Sequence, residues 1–477
     1  MGKTYKQYIN GEFVEASGGD WIEVENPYTN EIIAAVPKGD ATDADRALTA
    51  AKAAQSAWSK RTPADRADYL SKIAQVIRDN QQELTDILIS EQAKVAGLAG
   101  VEIGVTATYY DYYAGWARKY FGETISSDDP QEAILLFQKP IGVAVGICPW
   151  NFPFFVAARK IAPALLTGCT SVIKPSSVTP LTTLRLAELI ADIGLPAGVL
   201  NFVTGGGGTL GSALTKHPVT DLVSLTGSVE AGIEIIKDSA ANIVKTSLEL
   251  GGKAPVIVFK DADIDFAVDR VAASRLIFSG QVCNCAERAY IHEDIYDEFV
   301  SKLQANFEAT VYGDPNDPAS VYSSQVSKDQ LDKIAAVVDR AVAQGAKVIT
   351  GGAVADKGTG YFYQPTIISG AAQDWEIIQK EIFGPVLPVL KFSDYDEVIQ
   401  KANDCEYGLT SSVFTTNVST AFQAIKDLNF GETYVNREHF EAIQGFHAGW
   451  RKSGIGGADG YWGLREYLQS QVAYIRY

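Results

Sequence analysis

The chain has 477 residues, room for about three domain-sized units at roughly 150 residues each and for a core that needs no disulfide or metal staple. Its 41 lysines and arginines stand against 58 aspartates and glutamates, and the net charge of −17 argues against a nucleic-acid scaffold or an anionic-membrane binder, both of which depend on clustered positive charge. Five cysteines in a long chain do not make a disulfide framework, and His217, His292, His439 and His447 fall in no metal-ligand spacing, so no metal and a reducing cytoplasmic setting are expected.

The start, Met1-Gly2-Lys3-Thr4-Tyr5, lacks the apolar run of a signal peptide, and apolar runs such as 141–148 are too short to span a bilayer. Residues 8–14 read as short strands and turns. Helices follow: Thr42 with Asp45, and Thr62-Pro63 with Asp65, each pair a hydroxyl cap with an acid three residues on, and Pro63 suits the first helical position. Leu70, Ile73 and Ile77 continue at helical spacing, a further helix is expected over 101–120, and a polar turn at 126–130 precedes a strand at 133–137. From 141 the rhythm becomes strand, loop, helix. Apolar runs at 171–173, 199–203, 222–225 and 255–259 alternate with helical segments such as 181–193 and 207–216, which argues βαβ units and a parallel sheet. The pattern resumes over 286–434 as a second α/β unit. Residues 469–477 alternate enough for an exposed edge strand, a feature that commonly pairs with another subunit.

Several polar residues stand out against apolar surroundings. The run Thr204-Gly205-Gly206-Gly207-Gly208-Thr209-Leu210-Gly211 follows an expected strand and opens a helix, where glycines permit close backbone approach and unpaired N–H groups favour a phosphate. Taken alone it is equally an ordinary tight turn. Ser224-Leu225-Thr226-Gly227-Ser228 offers a second such cradle at the end of the next strand. Cys283, in Ser279-Gly280-Gln281-Val282-Cys283-Asn284-Cys285, is either a buried apolar cysteine or a thiol nucleophile on a loop. Glu249, at an apolar strand end, is either one half of a salt bridge or a useful base, and Asn151, between Trp150 and Phe152, is a turn residue or an oxyanion donor.

Pro149–Pro153, Gly205-x-Gly207-x-x-x-Gly211, Leu225–Ser228, Glu249–Lys253, Gly280–Cys283 and Glu381-Ile382-Phe383-Gly384-Pro385, in this order and spacing, resemble the aldehyde dehydrogenase superfamily over essentially the whole chain. Asn436-Arg437-Glu438, the run from Gln444 to Trp450 and the run from Gln281 to Ala286 are similar to its lactaldehyde/glycolaldehyde branch. The resemblance implies that Cys283 forms a thiohemiacetal, that the Asn151 amide and the Cys283 backbone N–H hold the oxyanion, and that Glu249 activates water against the resulting thioester. It also implies a cofactor site from Trp150, Lys174, Ser176, Ser177, Gly207, Gly211, Gly227, Ser228, Leu250, Glu381 and Phe383, with Glu381 on the nicotinamide ribose. Glu249 favours a free acid over a coenzyme A thioester, since acyl-transferring members typically lack this base.

Two departures from the resemblance carry expectations. Ser177 stands where NAD-preferring relatives usually have Glu; losing that carboxylate removes repulsion of a 2′-phosphate, and Lys174 adds positive charge, so NADP should be accepted alongside NAD. Arg159 and His447 occupy positions that are commonly aromatic in relatives oxidising apolar aldehydes, and Asn284 adjoins the nucleophile. Such groups would be left unpaired against an alkyl chain, so a short hydroxylated or carboxylate-bearing aldehyde is expected: lactaldehyde, glycolaldehyde, glyceraldehyde or succinic semialdehyde. A coenzyme A-acylating enzyme and a silent binding protein are the rival readings. The expected architecture is α/β: a Rossmann-like NAD(P) domain over 1–121 and 141–251, an α/β catalytic domain over 252–461, and a small β bridging and oligomerisation element from 122–140 and 462–477, in a homodimer or homotetramer.

Overall fold

A computed structural model describes residues 3–120 and 122–477; Met1, the one methionine, and residue 121, where the first expected boundary falls, lie outside them. An eight-stranded sheet dominates the N-terminal half. Its order is Gly454–Ile455, Lys245–Glu249, Leu222–Thr226, Val143–Ile147, Thr170–Lys174, Leu200–Phe202, Gln7–Ile9 and Glu12–Val14. The five inner strands are parallel and the flanking ones antiparallel. These inner strands are largely buried because helices cover both faces. Pro153–Thr167 and Leu181–Ile190 pack into one core cluster, and Ala41–Ser59 and Val229–Ser239 into another. The chain enters at Val143–Ile147, winds outward through two strands, then returns to the other side of the first. That reversal makes a crevice at the carboxyl ends of the strands.

A seven-stranded sheet follows in the order Lys347–Thr350, Thr366–Ser369, Val386–Phe392, Arg288–His292, Pro255–Val258, Thr410–Phe414, Glu432–Val435. All its pairings but the first are parallel, and it winds in the same way from a central first strand. The fold is mixed α/β with largely parallel sheets. Leu468–Arg476 runs antiparallel to Glu132–Pro140 along its whole length, beside Glu123–Ile125. Its other edge is free, with Val472, Tyr474 and Ile475 exposed.

Local signals were read correctly where they are self-contained. Thr62 caps Pro63–Asp79 by accepting from the Asp65 amide. The first helix differs: Asp40, not Thr42, caps Ala41–Ser59, with Asp43 completing the reciprocal box because Asp43 is fully buried there. The helix expected over 207–216 begins as a π-helical turn, Gly207–Gly211, before Ser212–Lys216, as glycines permit. The helix expected over 101–120 stops at Ala114. Gly454–Ile455, placed by the sequence in the second unit, adds an edge strand to the first sheet.

The loop bearing Cys283 is entered through three successive left-handed residues, Phe278 (φ 45°), Ser279 (φ 57°) and Gly280 (φ 73°). Only Gly280 is relieved of a Cβ, which would lie 2.2 Å from the Gly384 carbonyl oxygen. The others are held by contacts. Ser279 Oγ donates to the Ser323 carbonyl at 2.7 Å, and the Gln325 amide donates to the Ser279 carbonyl at 3.3 Å. The Tyr322–Gln325 stretch thus buttresses this loop.

Candidate active site

Loops from the carboxyl ends of the first sheet converge where its winding reverses. Trp150 and Asn151 follow one inner strand, Ser176 and Ser177 the next, Gly227 and Ser228 a third, and Leu250 follows Glu249 at the end of a fourth. The second unit faces them with the Cys283 loop and the Glu381–Phe383 segment. Two cavities meet at Cys283: a groove of about 440 Å³ and a narrow pocket of about 80 Å³. The thiol is half-buried and free.

Trp150, Lys174, Ser176, Ser177 and Gly207 line the groove, as do Gly227, Ser228, Leu250, Glu381 and Phe383. Gly211 does not; it is buried at the end of the π-turn. The donor set fits a dinucleotide. The helix Val229–Ser239 starts at the groove beside Ser228, and its first amides favour an anion. Lys174 supplies an ammonium whose pKa burial pushes down to about 8. Glu381 accepts from the Gly252 amide at 2.8 Å, and burial, reinforced by Glu287, pushes its pKa up to about 7. A Cβ on Gly251 would stand 2.6 Å from Glu381 Oε2, so glycine is what lets that carboxylate lie there. The Trp150 and Phe383 rings meet edge-on at 5.3 Å. Ser177 is already engaged, donating to the Gly205 carbonyl at 2.9 Å.

The pocket has apolar walls, including Val101, Phe155 and Phe440, and a polar floor of Asn151, Arg159, Cys283, Asn284 and Glu441. The expected loose polar groups are in fact tied to one another. Arg159 donates to Asp459 at 3.0 and 2.5 Å and to Glu441 at 2.7 Å, and lies 3.8 Å from Glu249. Asn284 donates to Glu441 at 2.5 Å. His447 does not line the pocket; it is buried, with its Nδ1 2.8 Å from Glu432. The penalty expected for unpaired polar groups is therefore smaller than sequence reasoning implied, because each has a protein partner before substrate enters.

Asn151 donates to the Gln281 carbonyl at 3.0 Å, so the amide already points at the nucleophile loop. Its own carbonyl is gripped by Lys94 at 2.7 Å and Gln92 at 3.0 Å. Glu249 accepts from Thr226 at 2.9 Å, while its Oε1 is buried with no partner among the described residues. Burial would raise its pKa, yet Arg159, His447 and Lys160 together hold it below the usual carboxylate range. It is ionised and has an open lone pair, which suits a base. For Cys283, burial holds the thiol pKa above its ordinary value, with His447 offsetting only part of that rise.

Sequence reasoning missed the buried charges Lys94, Glu102, Glu287 and Asp459 and the half-buried Glu432 and Glu441. Glu287 accepts from Lys253 and Arg275 at 2.8 and 2.7 Å and from the Ile382 and Phe383 amides at 3.0 and 3.1 Å. Arg275 also holds the Gly280 and Ala286 carbonyls, so one cluster ties the thiol loop to the cofactor-facing segment.

Comparison with known proteins agrees with this arrangement. The aldehyde dehydrogenase family model matches residues 13–473. Lactaldehyde dehydrogenase of Escherichia coli (strain K12) is 50% identical over 473 residues, covering 99% of this chain and 98% of that one. Its crystal structure superposes with a TM-score of 0.98 at 49% identity and complete coverage of both chains. A 3,6-anhydro-L-galactose dehydrogenase solved in complex with NAP gives a TM-score of 0.97 at 44% identity, over 99% of this chain and 100% of that one. Betaine aldehyde dehydrogenase of Staphylococcus aureus, solved with NAD+, gives 0.97 at 36% identity, over 98% and 94%. With likeness running from end to end in both sequence and backbone, the chain belongs to the aldehyde dehydrogenase family.

Proposed function

We propose that this enzyme oxidises a short, neutral, hydroxylated aldehyde such as lactaldehyde, glycolaldehyde or glyceraldehyde to its acid, using NAD or NADP. The observation that carries the reading is Cys283 at the junction of groove and pocket. The thiolate adds to the carbonyl carbon, and the Asn151 amide and the Cys283 backbone N–H hold the oxygen as it gains charge. A nicotinamide bound in the groove supplies the hydride acceptor. Glu249 then takes a proton from water as that water attacks the thioester, and the acid leaves. The groups placed to hold the cofactor are Lys174, Ser176, Ser177, Ser228 and Glu381.

Charge chooses among the polar substrates. Arg159 is the one guanidinium on the pocket floor, and Asp459, Glu441 and Glu249 already surround it. A carboxylate-bearing semialdehyde would add another negative charge to that set, whereas a hydroxyl can bond Asn284 or Glu441 without it. The relative at 50% identity is named a lactaldehyde dehydrogenase, which supports the same choice. The free edge of Leu468–Arg476 supports a homo-oligomer, to be read from light scattering of the purified protein.

A matrix of a dozen aldehydes against NAD and NADP tests this reading, with absorbance at 340 nm as readout and Cys283→Ala as control. Glycolaldehyde or lactaldehyde should give the highest kcat/KM, succinic semialdehyde at least tenfold less, and the variant no turnover. Thioester formed when coenzyme A is added, or a preference for hexanal, would overturn it.

A further inference from the structure

Glu287 lies between the Cys283 loop and the strand Arg288–His292 and is 1% exposed. Each of its carboxylate oxygens accepts from one cation and one backbone amide. Oε1 takes Arg275 Nη1 at 2.7 Å and the Phe383 amide at 3.1 Å, and Oε2 takes Lys253 Nζ at 2.8 Å and the Ile382 amide at 3.0 Å. Arg275 and Lys253 are wholly buried as well, so these charges have only one another and the backbone to meet. Arg275 reaches the thiol loop with both terminal nitrogens, donating to the Gly280 carbonyl at 2.6 Å and the Ala286 carbonyl at 2.7 Å.

Two strained segments meet at this ion pair. Phe278, Ser279 and Gly280 lead into the thiol loop in the left-handed region, and Phe383, on the cofactor side, is left-handed too at φ 57°. Non-glycine residues stay in that region only where their surroundings hold them. Arg275 grips the carbonyl of the last left-handed residue on one side, and Glu287 grips the amide of Phe383 on the other. The segments also touch directly, since a Cβ on Gly280 would strike the Gly384 carbonyl oxygen. Lys253 adds a third tie: it adjoins Gly252, whose amide donates to Glu381 at 2.8 Å.

We propose that Glu287 and Arg275 are positioning residues for hydride transfer: they fix the thiol loop against the Glu381–Phe383 segment and so set the distance from the thiol-bound carbonyl carbon to the nicotinamide. Neither residue lines the groove or the pocket, and both act through Gly280, Ile382 and Phe383. In the step they serve, the C–H bond of the thiohemiacetal breaks and its electron pair leaves with the hydrogen as hydride to the nicotinamide. The oxyanion's electrons re-form C=O, giving the thioester. That transfer is sensitive to small misplacements of the reacting atoms. Hydrolysis of an activated ester by the same thiol, with Glu249 and water, needs no register with the cofactor-side segment.

The inference rests on the proposed oxidation through Cys283, and hydrogen exchange of the cofactor-free enzyme tests it apart from turnover. In the wild type the Ile382 and Phe383 amides should be protected although they lie outside any helix or strand. Rapid exchange there overturns the proposal without any variant. Glu287→Asp and Arg275→Lys keep their charges but lose reach, and in both, exchange over 278–283 and 381–384 should quicken together at least tenfold. Their kcat for aldehyde oxidation should fall at least tenfold with KM within threefold, and the isotope effect of deuterium on the carbonyl carbon should grow. Cofactor-free hydrolysis of p-nitrophenyl acetate should change less than threefold. Equal loss of both activities assigns a merely structural role and overturns the proposal, as does an unchanged isotope effect or quickened exchange in one segment alone. If Cys283→Ala still oxidises the aldehyde, the reading beneath the inference fails instead.

Discussion

Ser177 donates its hydroxyl proton to the carbonyl oxygen of Gly205 at 2.9 Å, tying the turn after Thr170–Lys174 to the turn after Leu200–Phe202. Since that proton is committed, acceptance of NADP rests on the missing carboxylate rather than on a donated hydrogen bond. Ser177→Ala should therefore change kcat/KM for NADP less than threefold. Ser177→Glu should lower it at least tenfold and spare NAD. Initial rates with both cofactors decide this, and a hundredfold wild-type preference for NAD would remove the premise.

Arg159 is the hub of the pocket floor. Replacing it by methionine strips the buried Asp459 and the partly buried Glu441 of their cation and takes away the largest influence holding the Glu249 pKa down. Breaking a buried ion pair from one side typically costs ~3–5 kcal/mol. The sign for catalysis follows: with its pKa raised, Glu249 ionises at higher pH, so the acid limb of kcat should move upward by a unit or more. Arg159→Met should also unfold at lower urea. An unmoved acid limb would show that Glu249 is governed by other neighbours.

What the sequence displayed and what it concealed divide along one physical line. Asn151, Glu249, Cys283 and Glu381 are polar residues in short apolar or glycine-marked strings, so their oddity is local. Lys94, Glu287, Glu441 and Asp459 carry ordinary charges in loops. Nothing near Asp459 signals that its partner is Arg159, 300 positions earlier. The same holds for the sheets. Apolar runs marked most inner strands but not Lys245–Glu249, while the edge strand Gly454–Ile455 has no pattern of its own and is defined by its pairing with Leu248 and Glu249. Phe278 illustrates the point in reverse: its ring packs against a lysine distant in sequence.

That lysine is Lys94. Its ammonium is paired with Glu102, both wholly buried, and lies 4.5 Å from the Phe278 ring centroid and 3.7 Å from that of Phe152. It also holds the Asn151 carbonyl, and Glu102 accepts from the Phe154 and Phe155 amides that open the next helix. Lys94→Met should cost ~3–5 kcal/mol by stranding the Glu102 charge. Lys94→Met with Glu102→Leu should recover much of the stability, because no charge remains buried. Recovery in urea unfolding without recovery of kcat would assign the pair a role in placing the Asn151 amide. Equal instability of the single and double variants would refute the stranded-charge account.

Glu381 connects pH to cofactor binding. Burial, with Glu287 alongside, raises its pKa to about 7, so near neutrality the carboxyl is part protonated. A group whose folded pKa lies above its unfolded one favours folding at low pH and loses that contribution as pH rises towards 7. Binding runs the other way. Accepting hydrogen bonds from both ribose hydroxyls needs the ionised form, so the Kd for NAD or NADP should fall as pH rises from 6 to 8. Quenching of tryptophan fluorescence on cofactor binding measures this directly, with Trp150 lining the groove. The expected change is fivefold or more in wild type and little in Glu381→Gln. A pH-independent Kd in the wild type would mean that the carboxyl either stays ionised throughout or does not meet the ribose.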